Sequence, residues 1–426
     1  MKKYRNNHTL ATALFMLLAA LLMQACTDPF NEADALFQQG KSAYDAKEYT
    51  AALLLFRKAA DAGSAQAMNL IGWMHERGES VSLDYTIAMR WYKKAATAGS
   101  TAAMANIGWM YNQGEGVPED AKTAVQWYKI AADKGNASGL YNLGFMYEAG
   151  TGVELDYSKA MGYYLKAADA GDANALNNIG WMYDKGEGVK VDDTKAMQWY
   201  NKASKHGVSN GDFNIGWLYE NGKGVPVDYG LAMNWYQQAA KAGNAPAFNN
   251  IGSLYQYGRG VPANDTLAMQ WYKKAADAGY NVAMYNMAMM YQNGEGVTTD
   301  YQKAMAYYLQ AAATKYGKAM NNIGWLYGNG KGVPKNFTVA LQWYNKAADL
   351  GCAEGMDNLG WMYQHGEGVP KNYKKAIEYY LQAANAGNTN AMENIADMYE
   401  NGWGVEVNKQ TAADWRKKST DGQSKE

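Results

Sequence analysis

The stretch NNIGWMYDKGEGV, residues 177–189, contains the motif on which most of the chain is built. Its glycine, Gly180, has counterparts at multiples of 36 residues, and Ala288 and Ala396 stand at the two places where the glycine is missing. Ten units therefore follow one another without insertion or deletion. The other glycines of the series are Gly72, Gly108, Gly144, Gly216, Gly252, Gly324 and Gly360. So strict a period predicts a repeat protein whose units bury their apolar sides against one another.

Each unit contains two segments with apolar residues at helical spacing. In the first segment the apolar positions are Ala175, Ile179, Met182 and Tyr183. In the second they are Ala196, Trp199 or Tyr200, and Ala203. Because residues three and four apart share one face of a helix, both segments are predicted to be amphipathic helices. Neither helix can bury its stripe alone, so we expect antiparallel helix pairs stacked into an all-α solenoid.

These motifs resemble a known family. The patterns A-x-x-x-I-G-W-M-Y-x-x-G-x-G-V and A-M-x-W-Y-x-K-A-A-x-A-G are similar to the Sel-one-like repeat (SLR), a relative of the tetratricopeptide repeat, over residues 63–418. The resemblance implies a right-handed α/α superhelix of ten 36-residue SLR units. Residues 31–62 lack the Gly-x-Gly and resemble a tetratricopeptide-like helix pair, which we expect to cap the N-terminal end. The polar residues 419–426 are predicted to form a tail.

The glycines are predicted to be structural. Gly186 and Gly188 follow a helix and no strand precedes them, so they are expected to end the first helix rather than to bind phosphate. Gly180 lies inside that helix, where glycine costs about 1 kcal/mol relative to alanine. We expect close packing to offset this cost, with a Trp or Tyr of a neighbouring helix approaching the backbone where a Cβ would obstruct it.

The face opposite the apolar stripe contains the candidate ligand-binding residues. Asn178 stands two residues before Gly180 and Trp181 one residue after it. At the matching positions of tetratricopeptide domains, side chains line a concave groove and an asparagine holds the main chain of an extended peptide, so the resemblance implies an Asn/Trp-lined groove. The candidates are Asn106, Asn142, Asn178, Asn214, Asn250, Asn286, Asn322, Asn358, Trp73, Trp109, Trp181, Trp217, Trp325 and Trp361, and Asn394 continues the row.

An alternative interpretation gives these residues a structural role. Asparagines repeated so regularly can also hydrogen-bond from unit to unit, and some of the tryptophans can belong to the core. The tryptophans of the second helix are expected to pack rather than to bind; they are Trp91, Trp127, Trp199, Trp235, Trp271 and Trp343.

Composition and motifs narrow the classes of function. Lys and Arg number 40 against 41 Asp and Glu, so the chain has no net field that would attract nucleic acid. The four histidines are scattered and there are two cysteines, so neither a metal site nor a cofactor is expected. No nucleophile motif of a known hydrolase class is present. The SLR resemblance implies a non-enzymatic adaptor for peptide or protein segments.

Two other functions are considered. A polysaccharide ligand also suits the Trp and Asn side chains, because indole faces stack on sugar rings and amides match hydroxyls. A β-lactam hydrolase, as described for cysteine-rich SLR proteins, is disfavoured, because this chain lacks the cysteine pairs of those repeats.

The N-terminus is typical of an exported protein. Lys2, Lys3 and Arg5 precede an apolar run over residues 10–23, which is shorter than a membrane-spanning helix, so residues 1–25 are predicted to be a signal peptide. The sequence before Cys26 resembles a bacterial lipobox, which implies lipidation of Cys26 and a tether over residues 26–30. Thr27 favours the outer membrane, facing the periplasm, so the lipid anchor would be the chain's contact with the membrane. Cleavage near Ala25 without lipidation is the alternative.

Overall fold

The computed structural model describes residues 29–423, and within that range the chain forms 22 helices and no strand. This confirms the predicted all-α repeat fold. The helices form eleven consecutive pairs, called pairs 1–11; the odd-numbered helix of a pair is its first helix. The bounds are α1 Pro29–Asp45, α2 Tyr49–Asp61, α3 Ala65–Arg77, α4 Tyr85–Thr97, α5 Thr101–Gln113, α6 Ala121–Asp133, α7 Ala137–Ala149, α8 Tyr157–Asp169, α9 Ala173–Lys185, α10 Asp193–Lys205, α11 Ser209–Asn221, α12 Tyr229–Lys241, α13 Ala245–Tyr257, α14 Asp265–Asp277, α15 Asn281–Asn293, α16 Tyr301–Ala313, α17 Gly317–Asn329, α18 Phe337–Asp349, α19 Ala353–His365, α20 Tyr373–Asn385, α21 Thr389–Asn401 and α22 Lys409–Gln423.

Local capping sets where the helices start and stop, as pair 5 illustrates. The Asp172 carboxylate accepts a hydrogen bond from the Ala175 amide (3.2 Å) at the start of α9, and this satisfies an amide that has no partner within the helix. Gly186 ends α9 in the left-handed conformation (φ 74°), and its N–H donates to the Met182 carbonyl. The prediction that this first glycine of Gly-x-Gly terminates the helix is confirmed.

The core follows the predicted stripes with one clarification. Ala175, Ile179 and Met182 of α9 are fully buried. On α10 it is Tyr200, 1% exposed, that fills the core, whereas Trp199 is half-buried at its edge. The sequence had left these two aromatic residues as alternatives.

The glycine inside each first helix makes room for this tyrosine. A Cβ on Gly180 would lie 2.7 Å from both Cδ1 and Cε1 of Tyr200, closer than side chains pack. This confirms the expected close approach and identifies the neighbour as the second helix of the same pair. The same contact joins Gly72 to Tyr92, Gly108 to Tyr128, Gly144 to Tyr164, Gly216 to Tyr236, Gly252 to Tyr272, Gly324 to Tyr344 and Gly360 to Tyr380.

The second glycine of Gly-x-Gly has a function that differs from the expected one. Gly188 also has a positive φ (69°), but a Cβ there would lie 2.6 Å from the carbonyl carbon of Tyr157, at the start of the second helix of the preceding pair. Because α9 ends at Lys185 with Gly186 as its cap, Gly188 lies beyond the helix end. It lets the loop lie against the backbone of the neighbouring pair.

By their contacts the residues divide into two units, one up to Val208 and one from Ser209. The first unit holds pairs 1–5 and the second holds pairs 6–11. Within each unit, the two helices of a pair pack on each other, and the second helix of a pair packs on the first helix of the next. Each unit is therefore a solenoid of stacked helix pairs.

The terminal pairs follow the same plan. In pair 1, a Cβ on Gly40 would lie 2.7 Å from the Phe56 ring, which repeats the glycine–aromatic contact of the later pairs. At the other end α22 extends to Gln423, past the expected tail boundary at residue 418, because Ser419 is buried and donates to the Thr389 carbonyl (3.2 Å). Across residues 29–423 no helix has the length and apolar character needed to span a membrane. Cys26 and the predicted signal peptide lie outside the described residues.

Candidate functional site

The predicted asparagine row lies half-buried on the first helices, where its amides join successive pairs. Asn106 Nδ2 donates to Oδ1 of Asn69, in the preceding pair, over 3.0 Å. Each such bond spans 37 residues along the chain. The same link joins Asn286 to Asn249 (2.9 Å), Asn358 to Asn321 (2.8 Å) and Asn394 to Asp357 (2.9 Å). Hydrogen bonding from unit to unit, one of the two interpretations of the row, is therefore present in the structure.

Other members of the row reach a tyrosine hydroxyl of the preceding pair. Asn250 Nδ2 donates to Tyr236 Oη over 3.0 Å, and Asn322 Nδ2 donates to Tyr308 Oη over 2.9 Å. Asn178 lies 3.4 Å from the hydroxyl of Tyr141, on the preceding first helix. Asn142 and Asn214 occupy the same row and are also half-buried.

The core tyrosines that pack on the glycines form the centre of this network. The Tyr236 hydroxyl accepts from Asn250 and donates to Glu220, four residues after Gly216, over 2.5 Å. A buried hydroxyl needs a partner, since leaving it unpaired costs about 1–3 kcal/mol. Tyr92 donates to Glu76, Tyr164 to Glu148, Tyr272 to Gln256, Tyr308 to Gln292 and Tyr380 to Gln364. These polar partners were not recognised from the sequence, although their 16-residue spacing from the tyrosine recurs.

Burial and the adjoining carboxylates change the acid–base behaviour of this network. Desolvation, followed by the charge of Glu76, raises the pKa of Tyr92 far above its usual range. Desolvation also raises the pKa of the Glu76 carboxyl. These tyrosines therefore stay protonated and serve as structural hydrogen-bond donors.

The predicted tryptophans of the first helices differ in how much of the ring is buried. Trp109, Trp181 and Trp361 are 43%, 40% and 41% exposed, and Trp73 and Trp217 are half-buried. Trp325 is half-buried as well, against the core of pairs 8 and 9. All six rings thus leave part of their surface open to a ligand, and a role in binding stays a prediction.

Several of these rings are covered by a basic side chain of the same protein. Arg77 lies 5.1 Å from the Trp73 ring centroid and Lys185 lies 4.4 Å from that of Trp181. Lys223 lies 5.5 Å from Trp217, and His365 stacks on Trp361 with centroids 4.5 Å apart. An indole face attracts cations, so part of the Trp73, Trp181 and Trp217 rings is already in contact with a cation of the same chain.

The tryptophans of the second helices behave as expected for packing residues. They are half-buried, and most lie against the core of their own or a neighbouring pair. A lysine three residues later covers the open face of four of them: Lys94 on Trp91, Lys202 on Trp199, Lys274 on Trp271 and Lys346 on Trp343. Among residues 29–423 no three His, Cys, Asp or Glu side chains come together in a way that could hold a metal ion.

Taken together, the paired helices, the glycine–tyrosine packing and the polar rows define a solenoid of short helical repeats. The Sel1 repeat family model matches eleven consecutive segments: residues 36–64, 65–100, 101–136, 137–172, 173–208, 209–244, 245–280, 281–313, 317–352, 353–388 and 389–423. The chain belongs to the Sel1 repeat family. The first match covers most of the helix pair that the sequence analysis had compared with a tetratricopeptide unit.

Two solved structures support this assignment. The chain is 32% identical to c5321, a protective antigen present in uropathogenic Escherichia coli strains that displays an SLR fold; the match covers 96% of this chain and 89% of that one, with a TM-score of 0.56. A Sel1 repeat protein from Oxalobacter formigenes is also 32% identical, over 56% of this chain and 96% of its own, with a TM-score of 0.52. A comparison with curated proteins gave no significant match. Sel1 repeat solenoids generally act as protein-interaction scaffolds.

Proposed function

We propose that this chain is a non-enzymatic scaffold that binds extended peptide or protein segments along the first helices of its pairs. The observation that carries the proposal is the partly exposed tryptophan row beside the asparagine row, with Trp109, Trp181 and Trp361 about two-fifths exposed. Large, rigid aromatic side chains lose little conformational entropy on binding and dominate the energetics of many interfaces.

The bonds between pairs leave the asparagine amides with capacity for a ligand. Asn106, Asn286 and Asn358 each donate one N–H to the preceding pair. An amide has two N–H groups and an oxygen that accepts two bonds. These half-buried side chains can therefore stabilise the stack and still offer a donor and an acceptor, which is what an extended peptide main chain requires.

The proposal is tested by removing the exposed rings. Purified protein and its Trp109→Ala/Trp181→Ala variant are compared for retention of a random nonapeptide library. The matched control is Ile130→Ala/Leu165→Ala, because these residues are 41% and 38% exposed but lie on second helices. We expect binding to weaken about tenfold or more in the tryptophan variant and to stay unchanged in the control. Equal retention by both variants and the wild type would refute the proposal, and retention of glycans instead of peptides would favour the polysaccharide alternative.

We further propose that the scaffold is exported and anchored through a lipid on Cys26, in the outer membrane facing the periplasm. Support comes from the basic and apolar N-terminal sequence and from the relative c5321, which is a protective antigen. Labelling cells with a fatty-acid analogue should mark the wild-type protein and leave Cys26→Ser unlabelled. Equal labelling of the two would exclude the anchor.

A further inference from the structure

At the junction between pairs 7 and 8, one side chain bridges the two pairs. Gln256, four residues after Gly252, accepts from the Tyr272 hydroxyl through Oε1 (2.7 Å) and donates through Nε2 to Glu295 (2.8 Å). Glu295 lies in the Gly-x-Gly loop of the next pair. A single amide thus links the core tyrosine of one pair to the loop carboxylate of the next.

The junction between pairs 6 and 7 fills the same place with opposite charges. Glu220 accepts from the Tyr236 hydroxyl, and its carboxylate lies 3.8 Å from Nη1 of Arg259. Arg259 occupies the loop position that corresponds to Glu295. At this place in the fold the chain itself therefore pairs a carboxylate with a guanidinium beside a tyrosine hydroxyl.

Between pairs 9 and 10 this bridging side chain is missing. The corresponding position is Gly328, and a cavity of about 280 Å³ opens beside it. Both groups that the bridge would join line the cavity, the hydroxyl-bearing Tyr344 and the loop residue Glu367. Tyr344 is 6% exposed, while the other tyrosines at this position of the repeat are 0 or 1% exposed. Within residues 29–423 neither Tyr344 nor Glu367 has a side-chain hydrogen bond or an ion pair.

Two tryptophans form part of the remaining wall, and indole faces attract cations. Trp325 and Trp361 line the cavity from adjacent pairs. Unlike Trp181, Trp325 has no basic side chain of residues 29–423 over its ring. Asn358 donates one of its two N–H groups to Asn321, and its amide oxygen can still accept a hydrogen bond. The cavity therefore combines a carboxylate, other acceptors and an uncovered indole face.

From this geometry we propose that the cavity between pairs 9 and 10 binds an arginine side chain of the partner segment. The guanidinium would donate to the Glu367 carboxylate and to the Tyr344 hydroxyl while its plane stacks on Trp325. Charge-assisted hydrogen bonds of this kind are about twice as strong as neutral ones, and guanidinium groups stack well on indole. The inference rests on the proposed function, since it names a residue that the bound segment would contribute.

One cation of the chain already borders the cavity and makes the proposal sharply testable. Lys335 Nζ lies 4.5 Å from the ring centroid of Phe337, another wall residue. A bound arginine would be repelled by this ammonium, whereas an anionic ligand would be attracted to it. Lys335→Met should therefore strengthen binding of an arginine and weaken binding of an acid.

The experiment uses the full chain labelled with 5-fluorotryptophan and followed by ¹⁹F NMR, with Trp325→Phe and Trp361→Phe to assign two resonances. The probes are the N-acetyl, N-methylamide derivatives of arginine, glutamine and glutamate. We expect the arginine probe to shift the Trp325 and Trp361 resonances saturably and the glutamate probe to leave them unchanged. Equal shifts with glutamate or glutamine, or none with arginine, would overturn the proposal.

A variant that refills the cavity provides the decisive comparison. A Cβ on Gly328 would lie 3.8 Å from Ala340 Cβ and 3.9 Å from the Tyr344 hydroxyl, both ordinary contacts, so Gly328→Gln should fold normally. Its amide would restore the bridge seen at Gln256. We expect at least about a tenfold loss of affinity for the arginine probe in Gly328→Gln, a severalfold gain in Lys335→Met and a loss in Glu367→Gln. Undiminished binding by Gly328→Gln would refute the site.

The outcome is separable from that of the proposed function. If the peptide library binds but shows no preference for arginine and no sensitivity to Gly328→Gln, the arginine site is wrong and the scaffold proposal stands. If the arginine probe binds at Trp325 but no library peptide is retained, the cavity is a small-molecule site and the scaffold proposal is wrong.

Discussion

Gly180 lies directly against the ring of Tyr200, so close that an added Cβ would stand 2.7 Å from two ring carbons. The contact joins the two helices of one pair, and eight pairs of the chain repeat it with a glycine. Pairs 8 and 11 have an alanine instead, and in pair 8 Ala288 belongs to the same core cluster as the buried Tyr308. The chain thus contains its own test of how much the missing Cβ contributes.

Gly180→Ala should lower the stability of the protein. Alanine favours the helix by about 1 kcal/mol, but the overpacked ring must shift inside a full core, which typically costs about 1–3 kcal/mol. We expect a net decrease in the urea midpoint of unfolding. The reverse change, Ala288→Gly, should also destabilise, by about 1 kcal/mol, because there the core has already accommodated the methyl group. A rise in the midpoint for Gly180→Ala would contradict the packing argument.

Gly188→Ala should be more destabilising than Gly207→Ala. Both glycines have positive φ, 69° and 77°, so both substitutions incur the left-handed penalty of about 1–2 kcal/mol. A Cβ at Gly207 meets nothing within 4 Å, whereas at Gly188 it would collide with the Tyr157 backbone. The difference between the two unfolding free energies therefore measures the loop contact between pairs. Equal effects would show that the contact does not constrain the stack.

Removing the Tyr236 hydroxyl should destabilise the protein by about 1–3 kcal/mol. Tyr236→Phe leaves both the Asn250 amide and the Glu220 carboxylate without this partner. Tyr344→Phe is the control, because the Tyr344 hydroxyl makes no hydrogen bond within residues 29–423, and its loss should change the urea midpoint little. A similar loss in both variants would assign the effect to ring packing instead.

Asp357 should make stability fall as the pH rises. Burial raises the pKa of its carboxyl from 3.8 to about 6, an effect partly offset by the hydrogen bond from Asn394. The folded state holds this proton more tightly than the unfolded state does. The contribution of the bound proton to the stability of the fold is therefore complete below pH 3.8 and is lost as the pH rises through about 6. Asp357→Asn keeps an acceptor for Asn394 and removes the titration.

The variant should therefore be more stable than the wild type at pH 7, by at most about 3 kcal/mol, with the difference shrinking towards pH 4. Urea unfolding of both proteins across this range checks the expectation. A difference that does not change with pH would show that Asp357 does not titrate in this way.

The repeat period was sufficient to predict the helix pairs, the buried stripes and the tight packing at Gly180, because each depends on spacing within one unit. It did not distinguish Trp199 from Tyr200 as the core residue, since both positions satisfy a helical stripe. The contact of Gly188 with Tyr157 was also missed. It spans 31 residues and depends on how two pairs stack, which local patterns do not encode.

The candidate surface could be predicted only where it depends on spacing within one unit. The rows containing Asn106 and Trp109 follow from helical geometry, but the bond from Asn106 to Asn69 depends on the offset between neighbouring pairs. The significance of Gly328 could not be recognised from the period alone. It requires the knowledge that Gln256, at the same position, joins Tyr272 to Glu295.

The sequence interval between contacting residues of neighbouring pairs also affects how such a chain can change its length in evolution. The asparagine bonds reach back 37 residues and the loop glycines reach back 31, and both intervals recur at successive junctions. Unequal recombination that removes or duplicates 36 codons therefore rejoins surfaces that already match. The number of binding positions can then grow or shrink by whole pairs, while the cavity beside Gly328 is inherited intact.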